Sequence, residues 1–261
     1  MIAISSEQCP LLHTHTHSTP LISLALYLST IYLLPKAMRA AGIKGFNVKV
    51  PMALWNLFLT VISVAMLVGM AGPWFGRWKE VGLLNLLCDE TGYFFERPST
   101  LQFWMAVFLW SKYAELFDTV FLILKNPERK VPFLHWYHHT TVLLVAWYSM
   151  YYKFSPSLAF MATNTLIHSF MYLYYFLMEI GIKPPGAIIL TVGQIIQMMI
   201  GIAVNAIFAY QVYYQKRKCN CLNSDFMVAS AVVMYGSYLY LFVQFFISKY
   251  LGPKVVKPKQ N

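Results

Sequence analysis

Seven apolar runs, each long enough to cross the roughly 30 Å hydrocarbon layer of a bilayer, leave this chain no room for a soluble fold. They fall at 20–36, 51–75, 101–125, 132–152, 157–181, 185–212 and 226–250. Only 11% of the residues are charged, where a soluble domain of this size carries about a quarter. Pro51, Pro132, Pro156, Pro184 and Pro185 sit at run edges, where a missing N–H costs little. Residues 77–98 are too polar to cross and are expected to form a loop or an interfacial helix. The expected fold class is therefore all-α integral membrane, with seven transmembrane helices. A short leader (1–19), one membrane domain (20–250) and a basic tail (251–261) make up the chain. Residues 1–20 hold no Lys or Arg, so the first run is expected to be a retained span and not a cleaved signal.

Charge then orients the spans. Twenty Lys and Arg face ten Asp and Glu. Seven crossings place twelve of these cations on the carboxyl-terminal side and seven on the other, with Lys112 inside a span. The positive-inside rule puts the carboxyl terminus in the cytosol and the amino terminus in the lumen. Lys257 and Lys259, near the end, resemble a cytosolic dilysine retrieval signal for the endoplasmic reticulum membrane. Nucleic-acid binding is excluded, because the cations lie in short connections between spans. Cys88, Cys219 and Cys221 fall on the lumenal side, where disulfides form, and Cys88 is expected to pair with Cys219 or Cys221.

Ionisable groups inside spans are costly and are functional candidates by default. Lys112, Glu115, Asp118 and Thr119 recur at helical spacing, as do His135, His138 and His139. Asn164, His168, Tyr172 and Tyr175 share a third face, and Thr191, Gln194 and Gln197 a fourth. At 1.5 Å per residue these groups fall roughly 10–20 Å below the cytosolic surface, so four polar faces can meet in one pocket. His13, His15 and His17 alternate with Thr in the polar leader and are expected to be disordered.

The blocks KYAELFDT (112–119), HWYHH (135–139), NTLIHSFMYLYY (164–175) and TVGQIIQ (191–197) resemble, in order and spacing, those of the endoplasmic-reticulum fatty-acid elongases. The resemblance implies six of the seven helices forming a barrel around an acyl tunnel. It implies condensation of fatty acyl-CoA with malonyl-CoA, releasing CO2 and giving 3-oxoacyl-CoA two carbons longer. Both CoA esters are substrates; no cofactor and no metal is implied. Membrane lipid surrounds the chain, reductases and a dehydratase complete the cycle as partners, and a homo-oligomer is compatible with it. Trp136 and the following TVLL (141–144) resemble the branch acting on saturated and monounsaturated chains.

By that match His135, His138, His139 and His168 are the active-site histidines. Every cysteine lies outside the runs, so an imidazole, on His138 or His139, is the expected acyl carrier. Asp118 or Glu115 would orient a histidine of the 135–139 block, and Asn164 and Gln194 would donate to the thioester oxygen. Lys112, Tyr172, Tyr175 and Gln197 would line the substrate path. Lys125, Arg129, Lys130 and Lys183 would meet the CoA phosphates at the cytosolic mouth. Rival readings are a metal-dependent membrane lipid hydrolase or desaturase-like enzyme, and a non-enzymatic seven-span receptor or transporter.

Overall fold

The computed structural model describes residues 18–95 and 99–252 of the 261. The histidine leader, Cys9 and the dilysine-like ending lie outside the described residues. Among the described residues every regular element is helical. The elements are α1 (Ser18–Ala40), α2 (Lys49–Leu87), α3 (Thr100–Ala114), α4 (Phe117–Lys125), α5 (Phe133–Tyr151), α6 (Ser157–Glu179), α7 (Ala187–Ala209) and α8 (Ser224–Phe246). Tyr210–Tyr214 and Ile247–Leu251 extend α7 and α8 as π-helical turns. Four helices, α1, α2, α7 and α8, are long and apolar enough to cross a membrane by length and composition.

Two expectations need correction. The second run does not end at 75. Helix α2 continues to Leu87, so the first half of the segment expected to be a loop or interfacial helix belongs to it. Its 39 residues span roughly 58 Å, far more than the hydrocarbon needs. The one break is at Gly82 (φ 76°, ψ 163°), a conformation that only glycine adopts at no steric cost, and it re-aims the last turn. The third run is also two helices. At Glu115–Leu116 the backbone tightens: Leu116 N–H donates to Tyr113 O, and Asp118 N–H to Glu115 O, across three residues instead of four. Such a turn winds by 120° per residue and not 100°, so the face expected to run unbroken from Lys112 to Thr119 is twisted apart.

Neighbouring helices pack in a sequence that returns to its start: α2 on α3, α3 on α5, α5 on α8, α8 on α7, α7 on α6 and α6 on α2. Helix α1 stands beside this arrangement, against α4 and α5. Large apolar residues such as Leu54, Val61, Val68, Ile189, Val232 and Val233 face outward, as suits a hydrocarbon solvent. The interior holds two apolar clusters, one around Met105, Leu143 and Trp147, the other around Phe154, Phe208 and Tyr235. Gly201 lets α7 approach α8 closely; a Cβ there would stand 2.4 Å from the Tyr235 ring.

One end of the bundle is tied covalently. Of the two partners open to Cys88, the structure pairs Cys219, and Cys221 keeps a free thiol whose pKa burial pushes up. Around the disulfide, Arg217 donates to Glu90 (3.0 Å), Gln211 (2.6 Å) and Asn85 (2.8 Å). Asp89 accepts from the N–H groups of Tyr93 and Phe94, and Ser155 Oγ donates to Leu87 O. At the opposite end Phe46 N–H donates to Leu124 O, and Arg39 reaches Pro127 O.

Candidate active site

The polar residues meet at mid-bundle in a closed ring of contacts. The last turn of α3 aims Lys112 and Glu115 at α6, where Asn164 and His168 stand one turn apart. Lys112 Nζ lies 2.6 Å from Glu115 Oε1 and 2.8 Å from Asn164 Oδ1. Asn164 Nδ2 lies 3.1 Å from His168 Nε2, and His168 Nδ1 lies 3.5 Å from the same Glu115 oxygen. Because the Asn164 oxygen accepts from an ammonium, its nitrogen must donate, so His168 Nε2 accepts. The His168 proton then sits on Nδ1, facing Glu115. Lys112 is only 1% exposed and Glu115 2%, so neither charge could remain there without the other. Glu115 thus holds the tautomer of His168, not of a histidine on α5.

Asp118 does not orient an α5 histidine either. Beyond the tightened turn its carboxylate accepts from Trp55 Nε1 (2.7 Å) on α2 and from the Tyr172 hydroxyl (2.8 Å) on α6. The histidine that lacks a carboxylate is held by a hydroxyl instead: His135 Nε2 is 2.9 Å from Thr119 Oγ1. Three successive polar residues of one motif therefore reach different neighbours, because the turn at 115–116 separates them.

On α5 the histidines divide between two directions. His135 and His139, four residues apart, approach with ring centroids 4.5 Å apart. His138, one step around the helix, faces the interior between α5, α6, α7 and α8, and lines a cavity of ≈ 50 Å³ with Asn164, Gln197, Tyr235 and Tyr238. Its ring lies 5.1 Å from that of Tyr238, whose hydroxyl donates to the His138 carbonyl and meets Thr141. The rest of the wall is apolar (Phe108, Val142, Val145, Met161, Met198, Met234), ending near Ser149, Met150 and Ser157. From His138 to Met150 the wall follows α5 for roughly 18 Å. Among the described residues, two buried polar atoms at the site, Glu115 Oε2 and His139 Nδ1, have no hydrogen-bond partner. Such atoms cost about 1–3 kcal/mol each and persist where function needs them.

Several expected residues lie elsewhere. Tyr175 is 45% exposed at the outer end of α6, since the packed face ends at Tyr172. Gln194 turns to Met171 Sδ and does not line the cavity, whereas Gln197, one turn on, is buried and does. Lys112 is enclosed in its ion pair and is not among the cavity-lining residues. Lys125 is already paired with Glu179 at 2.7 Å. Arg129, Lys130 and Lys183 are exposed at the same end. Trp136 packs against Phe133, away from the cavity. The sequence reading passed over Trp55, Tyr27, Tyr235 and Tyr238. Their signal was present: an aromatic with a polar tip inside an apolar run usually has a partner for that tip.

A bundle with an apolar exterior and a buried acid–base cluster above an apolar slot defines a membrane enzyme acting on a lipidic substrate. The profile of the GNS1/SUR4 family (ELO) matches residues 12–258. Fatty acid elongase 2 of Trypanosoma brucei brucei is 39% identical over 208 residues, covering 77% of this chain and 75% of that protein. Fatty acid elongase 1 of the same organism is 34% identical over 249 residues, 87% of this chain and 80% of that protein. Long chain fatty acid elongase 1 of Caenorhabditis elegans is 35% identical over 217 residues, 79% and 70% of the two chains. The chain belongs to the GNS1/SUR4 family of fatty-acid elongases and is a multi-pass membrane acyltransferase of fatty-acid elongation.

Proposed function

We propose that the chain condenses fatty acyl-CoA with malonyl-CoA, releasing CO2 and CoA, through an acyl-imidazole on His138. The observation that carries this reading is that His138 is the one imidazole of the α5 motif lining the apolar slot. No described cysteine lines that slot; Cys88 and Cys219 are bonded to each other, and Cys221 lies in the loop beside them.

In the first half-reaction a His138 nitrogen attacks the thioester carbonyl, the C–S bond breaks, and the ring proton leaves with CoA as the thiol. The second N–H of the Asn164 amide is the donor available to the developing oxyanion. In the second, malonyl-CoA loses CO2, its α-carbon forms the new C–C bond, and the C–N bond to His138 breaks. The imidazole regains a proton, and 3-oxoacyl-CoA departs. Decarboxylation itself supplies the carbanion, so His168 acts as a relay: once Asn164 has turned from its Nε2 to the oxyanion, that nitrogen takes up a proton from solvent and passes it to the departing His138 nitrogen. No cofactor enters.

The chain of helix contacts from α2 back to α2 supports a six-helix barrel around the acyl chain. Arg129, Lys130 and Lys183, exposed at the end opposite the disulfide, are the charge partners offered to CoA phosphates. The disulfide supports a lumenal side at the Cys88 end, hence a lumenal amino terminus, a cytosolic carboxyl terminus and residence in the endoplasmic reticulum. The Trp136 motif supports saturated or monounsaturated primers. The product would pass to reductases and a dehydratase.

The test supplies labelled malonyl-CoA and a ladder of acyl-CoA primers to solubilised protein. Label in 3-oxoacyl-CoA, absent with His138→Ala, is expected, together with an acyl-protein adduct when malonyl-CoA is withheld. Release of CoA that strictly requires malonyl-CoA would remove the covalent step.

A further inference from the structure

Helix α1 stands beside the packed sequence of helices and turns most of its surface outward: Leu21, Ile22, Leu26, Leu28 and Tyr32 are all exposed. Its buried residues are Pro20, Leu24, Tyr27 and Met38, of which only Tyr27 carries a hydrogen-bonding side chain. That hydroxyl lies 2.8 Å from Thr119 Oγ1, and the same Thr119 oxygen lies 2.9 Å from His135 Nε2. His135 in turn stacks 4.5 Å from His139. A line of two hydrogen bonds, the first buried and the second part-buried, therefore runs from a helix outside the helical ring to the histidine motif.

Counting protons gives the line a direction. Each hydroxyl has one proton to donate. If His135 donated to Thr119, the proton of either Thr119 or Tyr27, both buried, would need a further acceptor. Thr119 is the only hydrogen-bond partner of Tyr27 among the described residues. In the opposite sense Tyr27 donates to Thr119, Thr119 donates to His135 Nε2, and the one donor left over is the Nδ1–H of His135, whose ring is only part-buried, instead of a hydroxyl of the buried Tyr27 or Thr119. An unused donor in an apolar setting costs about 1–3 kcal/mol, so the second sense prevails.

We propose that Tyr27 of α1 is a positioning residue which, through Thr119, holds His135 with Nε2 as acceptor and its proton on Nδ1. Helix α1 is then part of the reaction's machinery and not only an anchor. The line leaves His135 a donor at Nδ1, the reverse of the triad arrangement in which a carboxylate accepts from Nδ1–H and leaves Nε2 as the acceptor. The inference rests on the acyl-transfer reading of the site for its kinetic consequence, but its tautomer can be read without turnover.

The experiment uses the full-length protein and four variants: Tyr27→Phe, Thr119→Val, Thr119→Ser, and Tyr27→Phe combined with Thr119→Val. Tyr27→Phe is expected to lower kcat of malonyl-dependent condensation roughly 3- to 10-fold, one hydrogen bond's worth, with KM for both CoA esters unchanged. Thr119→Val should cost more, Thr119→Ser should recover most of that loss, and the double variant should be no worse than Thr119→Val alone. Independently of activity, 15N spectra of histidine-labelled protein should show His135 protonated at Nδ1, and a tautomer mixture in Tyr27→Phe. Full kcat in Tyr27→Phe, additive losses in the double variant, or a serine variant as poor as valine would overturn the kinetic role. A wild-type His135 protonated at Nε2 would overturn the proposal whether or not the chain elongates. The acyl-transfer reading fails separately, if wild-type protein with the expected tautomer incorporates no label.

Discussion

The two halves of the bundle are held by opposite means. At the Cys88 end, a disulfide joins residues 131 apart in sequence, and Arg217, Asp89 and Ser155 bind neighbouring loops around it. At mid-bundle, Lys112, Glu115, Asn164 and His168 hold α3 to α6 without a covalent bond. The unpartnered atoms differ as well. Those of the first region, Ser157 Oγ and Gln211 Nε2, belong to groups that do not titrate, while Glu115 Oε2 and His139 Nδ1 belong to groups that exchange protons. One region is stitched for permanence. The other holds charges whose geometry can change when a substrate supplies new partners.

Breaking the second region should therefore remove catalysis, and breaking the first should remove only stability. The largest effect is expected for His138→Ala: a rate loss of roughly 10⁴-fold, about 5 kcal/mol, with the melting temperature unchanged, read by label incorporation and thermal unfolding. Next comes the ion pair. Lys112→Ala leaves Glu115 buried without its partner and should cost about 3–5 kcal/mol of stability. Replacing both, Lys112→Met with Glu115→Met, should restore most of that stability while leaving the protein inactive, because His168 loses the oxygen that fixes its proton. A double variant that elongates normally would show the ring to be structural glue alone.

Cys88→Ser sharpens the comparison from the other side. Opening so long a loop should cost about 2–4 kcal/mol, seen as a lower unfolding midpoint, with kcat per folded molecule within about twofold of wild type. Cys221→Ser, at the free thiol, should do neither. Among the changes expected to cost anything, the smallest effect is expected at Gly201→Ala. Its added methyl meets the Tyr235 ring at 2.4 Å, and overpacking there should cost about 1–3 kcal/mol, with some loss of activity because Tyr235 lines the slot.

Much of this site was legible in the sequence because a membrane interior penalises polar groups so heavily. A histidine or an acid in an apolar run must face protein, and helical spacing tells which of them share a face. That reasoning brought Glu115, the α5 histidines, Asn164 and His168 together. It failed where the helix was not ideal. Asp118 was expected beside a histidine and instead meets Trp55 and Tyr172, because the turn at 115–116 rotates it away. Gln194 and Gln197 were equally placed by spacing, yet only Gln197 reaches the cavity. The buried face of α7 runs through Gln197, Met198, Gly201 and Asn205, and Gln194 is not part of it.

The sequence by itself determined that the chain is a set of membrane-length helices, which polar residues they bury, and which three cysteines share a side. Solvent transfer energies act residue by residue, so a linear reading suffices. The tertiary structure alone decided that His138 and not His139 fronts the slot, that Cys219 and not Cys221 takes Cys88, and that Tyr27 of the outlying helix reaches the histidine motif. Each of these is a choice between near-equal neighbours. It turns on distances of an ångström or two, which only the packed arrangement of helices supplies.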